Sequence, residues 1–255
     1  MLDWRPHLDQ FLSQFEHARD ITGVLVCGSY ITGHPSVRSD LDVHIVLDEA
    51  VTYRQRGNQI VDGLHIEYFA NPPRQIQAYF GGDLKDKSLM CQVQFATGEI
   101  VRDDDGAVRK LKEQALAMID AFYQNNEASM PEKKKYFLWD MRDDLQNACE
   151  NNWPEFDFIY FNLLDKVISN YLRCINRPYG LKAIYGHITS EITRGKYLLR
   201  ELPDAEINGL IVRCILAIDR SEKASAFEGL VNAILDRFGG FDVNEFKQKS
   251  DVDIT

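Results

Sequence analysis

Ile21-Thr22-Gly23-Val24-Leu25-Val26-Cys27-Gly28-Ser29, ten further residues, and then Asp40-Leu41-Asp42-Val43-His44-Ile45-Val46-Leu47 form the stretch on which the fold turns. The two apolar runs have strand length and β-branched content, so both read as buried strands. Gly28-Ser29 follows the first run directly. A glycine and a hydroxyl at the end of a strand suit a turn whose backbone N–H groups meet a phosphate. Asp40 and Asp42 open the second run. Side chains alternate along a strand, so the two carboxylates share a face. They repel each other and lose hydration unless a cation neutralises them, and hard divalent ions such as Mg²⁺ favour such oxygens. A third carboxylate, Glu67, lies in the apolar run Leu64-His65-Ile66-Glu67-Tyr68-Phe69. These parts describe a site for a metal-bound nucleoside triphosphate.

Outward from this stretch, Leu8, Phe11, Leu12 and Phe15 fall at helical spacing and predict a short amphipathic helix over 7–18. Ser29 to Gly33 predicts a helix start, broken at His34-Pro35-Ser36. A weaker strand or hairpin is expected near 51–61, with Asp62-Gly63 turning into the strand Leu64 to Phe69. Pro72-Pro73 precede a helix carrying Ile76, Tyr79 and Phe80, which Gly81-Gly82 should end. Apolar stretches over 89–102 run into Asp103-Asp104-Asp105-Gly106, and a helix over 107–124 follows. Gln124 to Pro131 is polar and linker-like. Beyond it the periodicity is helical, with helices expected near 131–150, 155–175, 180–199, 204–218 and 222–237, and a weaker one after 241. The chain therefore reads as α+β: a mixed sheet with flanking helices over 1–127, then a helical bundle over 128–255.

The full chain has 255 residues, 45% of them hydrophobic, enough for substantial cores. Lys and Arg total 29 against 39 acidic residues, a net charge of −10, which argues against a general nucleic-acid binder and suits a cationic substrate. Its five cysteines, at 27, 91, 149, 174 and 214, form no Cys-x-x-Cys pair and suggest neither a disulfide nor a zinc framework. The start lacks a secretory pattern, and no apolar segment reaches membrane-spanning length, so the expected home is the cytoplasm.

Gly28-Ser29, Asp40-Leu41-Asp42 and the later strand carboxylate resemble the DNA polymerase β-type nucleotidyltransferase superfamily. The closer likeness is to its small two-domain members, the aminoglycoside nucleotidyltransferases and their relatives. Gly98-Glu99-Ile100-Val101-Arg102-Asp103 resembles that family's late strand ending in an acidic turn. The resemblance implies a catalytic N-terminal domain and a helical acceptor-binding domain. It implies transfer of a nucleoside monophosphate, AMP from ATP or its equivalent from another nucleoside triphosphate, onto an acceptor hydroxyl, with two Mg²⁺ ions held by Asp40, Asp42 and Glu67. Glu67 would be ligand, general base, or both. Gly28 and Ser29 would meet the triphosphate, with Arg38 and Ser39 as second-rank contacts. Asn176-Arg177-Pro178-Tyr179-Gly180-Leu181-Lys182 resembles the family's Asn…Lys segment, which implies that Lys182 reaches the triphosphate as a point charge on a long stem.

Each assignment has a plain structural alternative. Asp40 and Asp42 could cap a strand in a solvated turn, Glu67 could be an exposed edge-strand residue, and Arg38 and Lys182 ordinary surface cations. Asp140, Asp143 and Asp144 share a helical face. They read either as a solvated face or as an acidic wall for a cationic acceptor. The acceptor itself is open between a small molecule, an aminoglycoside-like cation among them, and a protein side chain, as in an adenylylating antitoxin. A non-catalytic nucleotide-binding regulator is a further alternative.

Overall fold

The computed structural model describes residues 3–124, 128–180 and 183–249. The chain divides into two compact units, one built from the residues up to Gln124 with Lys196–Leu198, the other from the remainder. The architecture is α+β.

In order, the first unit comprises α1 (Arg5–Ser13), β1 (Ile21–Cys27), β2 (Leu41–Leu47), β3 (Gln55–Val61), β4 (Leu64–Asn71), α2 (Pro73–Lys85), α3 (Met90–Thr97), β5 (Glu99–Asp103) and α4 (Ala107–Gln124). The strands form one mixed sheet in the order β3-β4-β2-β1-β5. β2 and β4 are parallel, and the other neighbours are antiparallel. Asp62 and Gly63 both take positive φ, 46° and 87°, which closes the β3–β4 hairpin tightly.

Strand alternation assigns the two sheet faces. Val24, Val26, Leu41, Val43, Ile45, Ile66 and Ala70 pack with Leu8 and Phe11 of α1. Leu25, Cys27 and Val46 pack on the other face with Ile76 and Phe80 of α2, Phe95 of α3, and Val108, Leu111 and Ala115 of α4. Phe80 and Phe95 are fully buried and meet edge-on at 5.5 Å. Such a pair contributes roughly 0.5–1.5 kcal/mol beyond its buried area. Asp42, His44, Glu67 and Phe69 belong to this second face.

Three local expectations before residue 200 change. Ser29 to His34 forms successive turns rather than a helix, closed by Thr32 N–H to the Gly28 carbonyl at 3.1 Å and His34 N–H to the Ser29 carbonyl at 3.0 Å. α2 runs through Gly81-Gly82 to Lys85, because neither glycine leaves helical φ and Leu84 packs against the α2–α4 core. The helix expected over 180–199 is two short ones, α7 (Ile184–Thr189) and α8 (Glu191–Lys196), separated where Ser190 becomes extended.

The second unit is helical, with α5 (Glu132–Glu150), α6 (Phe156–Cys174), α9 (Ala205–Leu216) and α10 (Arg220–Arg237) around one core. Its buried aromatic hydroxyls are satisfied. Tyr160 donates to the Cys214 carbonyl and Tyr171 to Asp204, each at 2.6 Å. No helix follows residue 241 among those described.

Candidate functional site

Register builds the site. Asp42 on β2 lies opposite Cys27 on β1 and beside Glu67 on β4. Asp40 immediately precedes β2. One oxygen from each of Asp40, Asp42 and Glu67 lies within 4.8 Å of the others, and all three residues are half-buried. Burial first, then the charges of Asp40 and Glu67, pushes Asp42 up to about 6, while the Lys196 ammonium opposes the shift. The Cys27 thiol is pushed well up by burial and then by Asp42, so it stays protonated.

Gly28 is required for two reasons. Its φ is +77°, and a Cβ there would overlap the Asp42 carboxylate. The first reason belongs to the turn, the second to the cluster. Ser29 follows it, half-buried, at the start of the turns that lead to β2. Arg38 is exposed, and its backbone N–H donates to Ser36 Oγ at 3.2 Å. Ser39 Oγ accepts from the Ser36 backbone N–H at 2.8 Å. Lys182 lies outside the described residues.

Glu67 sits on an interior strand of the sheet, since β3 occupies the edge. Arg56 of β3 donates to it at 2.6 Å and lies 4.8 Å over the Phe69 ring. Sequence reasoning missed Arg56. The signal was the hairpin register, which pairs Arg56 with Phe69 and leaves Glu67 diagonally within reach. His65 is exposed and bonds to Asn58 Oδ1 at 2.8 Å. In the helical unit, Asp144 on α5 is raised by burial and then by Asp140 and Asp143.

Three converging carboxylates, one destabilised in its ionised form by the others, make a donor set that hard divalent cations fit. All five cysteines are free, and no helix among the described residues is long and apolar enough to cross a membrane.

No family model matches the chain, and no curated protein matches it. Among solved structures, a nucleotidyltransferase-like protein from Exiguobacterium sibiricum 255-15 is similar over 92% of this chain and 76% of its own, at a TM-score of 0.43 and 10% identity.

Proposed function

We propose that this chain is a Mg²⁺-dependent nucleotidyltransferase that moves a nucleoside monophosphate, AMP from ATP, onto an acceptor hydroxyl and releases pyrophosphate. The observation that carries this reading is the convergence of Asp40, Asp42 and Glu67 beside the Gly28-Ser29 turn. Residues 1–127 are assigned the chemistry and residues 128–255 a part in acceptor selection, in the cytoplasm.

Asp40, Asp42 and Glu67 would hold two Mg²⁺ ions, which supply charge neutralisation at the triphosphate and acidify the acceptor hydroxyl. Ser29 donates its hydroxyl to a β- or γ-phosphate oxygen, and backbone N–H groups of its turn add to that cradle. Arg38 and Ser39 approach the same phosphates, and Lys182 stabilises the leaving pyrophosphate. The acceptor oxygen forms a bond to the α-phosphorus. The bond from that phosphorus to the bridging oxygen breaks, and pyrophosphate leaves with the electron pair. Glu67 takes the hydroxyl proton.

Glu67→Gln keeps size and removes charge. It is expected to lower transfer from labelled ATP by about 10² to 10⁴-fold, with a smaller loss of ATP·Mg²⁺ affinity by calorimetry. Equal turnover by wild type and Glu67→Gln would sink this role. The Arg56–Glu67 ion pair favours one second reading, a nucleotide-binding regulator in which a guanidinium supplies the charge that a metal would. That reading expects ATP binding unaffected by chelation and no transfer to any acceptor.

A further inference from the structure

Register sets His44, Phe69 and Arg56 side by side across β2, β4 and β3. The three side chains form a stack. The His44 ring lies on Phe69 at 5.3 Å, and the Arg56 guanidinium lies over the ring at 4.8 Å. The stack is anchored in the core. His44 is buried and meets the buried Phe95 ring at 4.7 Å, and its Nε2 lies 3.2 Å from Gln94 Oε1. β3 is also pinned through the opposite sheet face. Gln55 donates to the Tyr68 hydroxyl at 2.9 Å. A Cβ on Gly57 would overlap that hydroxyl, so glycine lets β3 seat closely over Tyr68. Both chain neighbours of Arg56 are therefore fitted to one side chain.

That fitting matters because nothing else confines the Arg56 side chain. It is 68% exposed and borders a cavity of about 640 Å³ that β4, α2 and α3 also line. An exposed ion pair on a long stem usually adds little, because ordering the stem offsets the contact. Here the aromatic platform does the ordering. A guanidinium lying flat on a ring keeps its N–H donors in its own plane, free for a carboxylate. The carboxylate it meets is Glu67, whose Oε1 accepts at 2.6 Å. Glu67 stands between two strands, with Asp42 beside it on β2 and Arg56 reaching it from β3. One of its oxygens is thus engaged from the β3 side, while Asp40 and Asp42 stand on the β2 side. Carboxylates that ligate metals are ordinarily held by outer hydrogen bonds of this kind.

Resting on the metal-dependent reading above, we infer that Arg56 is a positioning residue for the carboxylate cluster. It holds Oε1 of Glu67, so that Oε2 is presented with Asp40 and Asp42 to a divalent ion. The Phe69–His44 stack keeps the guanidinium in place. The contrary role is a surrogate cation that a metal ion must displace. The two roles differ in sign. Removing a positioning residue loosens the metal, and removing a competitor tightens it.

The test is Mn²⁺ binding to the whole chain without nucleotide, followed by electron paramagnetic resonance, in which the free-ion signal falls on binding. Arg56→Met keeps a stem over Phe69 and removes the donors. It is expected to weaken Mn²⁺ about tenfold. Phe69→Leu keeps the ion pair and removes its platform, and should weaken Mn²⁺ by less. Arg54→Met is the control for charge alone. Arg54 lies two residues away, and its guanidinium donates to the Tyr79 hydroxyl at 2.7 Å. Its loss should leave Mn²⁺ affinity unchanged. Thermal denaturation in chelator should barely separate Arg56→Met from wild type, so the change in affinity reports on the site and not on the fold. Equal or tighter Mn²⁺ binding by Arg56→Met overturns the inference. So does an equal loss in Arg54→Met, or no wild-type Mn²⁺ binding up to about 10 mM. Because no nucleotide is present, the result is separate from that of the transfer assay. Weakened Mn²⁺ in Arg56→Met without transfer to any acceptor removes the transferase and leaves the positioning role. Transfer by a wild type whose Mn²⁺ affinity Arg56→Met shares does the reverse.

Discussion

Asp42 carries its charge at a cost in the absence of a cation. Its folded pKa of about 6 lies above its usual 3.8, so the folded state binds this proton more tightly than the unfolded chain. Its contribution to stability is therefore present below about pH 4 and is lost as pH rises through 6. The metal-free Asp42→Asn variant is expected to be more stable than wild type at pH 7, on the order of 1 kcal/mol after allowing for solvent at a half-buried site. The difference should vanish toward pH 4. Thermal denaturation with and without chelator checks this. Added Mg²⁺ should raise the wild-type midpoint and barely move that of the variant, and a variant less stable than wild type in chelator would refute the account. Asp40 and Asp42 were legible in the sequence because strand alternation and two-residue spacing are local, whereas Glu67 entered through the family resemblance. Arg56 was not legible, because its place against Glu67 depends on which residues the β3–β4 hairpin sets opposite one another.

Asp103-Asp104-Asp105 shows how an element sets the role of an acidic run. Asp103 accepts the backbone N–H groups of Val108 at 2.9 Å and Arg109 at 3.2 Å, and Asp105 accepts that of Ala107 at 2.9 Å. The acidic run therefore satisfies the orphan donors at the start of α4, where negative charge is also favoured by the helix dipole. Asp104 instead pairs with Arg102. Asp103→Ala is expected to cost about 1–2 kcal/mol in urea unfolding. Asp104→Ala, at an exposed pair, should cost well under that. Equal losses would remove the capping assignment. At α2 the helix end expected at Gly81-Gly82 does not occur. Gly81-Gly82 is a stop signal only if a left-handed residue is needed there, and both glycines stay in helical φ while Leu84 gains a buried contact from one further turn.

At the scale of the whole molecule, each unit owns a separate interior. The helical core is drawn from residues between Met130 and Leu235, and Phe227 at its centre is fully buried. Phe227→Ala should cost that unit about 3–5 kcal/mol. Scanning calorimetry is expected to show two transitions, of which the variant moves one. A single transition that shifts as a whole would mean that the two units unfold as one.

The sequence by itself determined the strands around Gly28-Ser29 and Asp40-Leu41-Asp42, the shared face of the carboxylates, and the change to helices after residue 124. Each of these rests on spacing along the chain, and periodicity is a local property. Tertiary structure alone decided that β4 lies parallel beside β2, which sets Glu67 against Asp42. It also decided that β3 forms the edge, which hands Arg56 to Glu67, and that β4, α2 and α3 line one cavity. These facts join residues far apart in sequence, and pairing of that kind is chosen by burial of whole faces rather than by any residue's own neighbours.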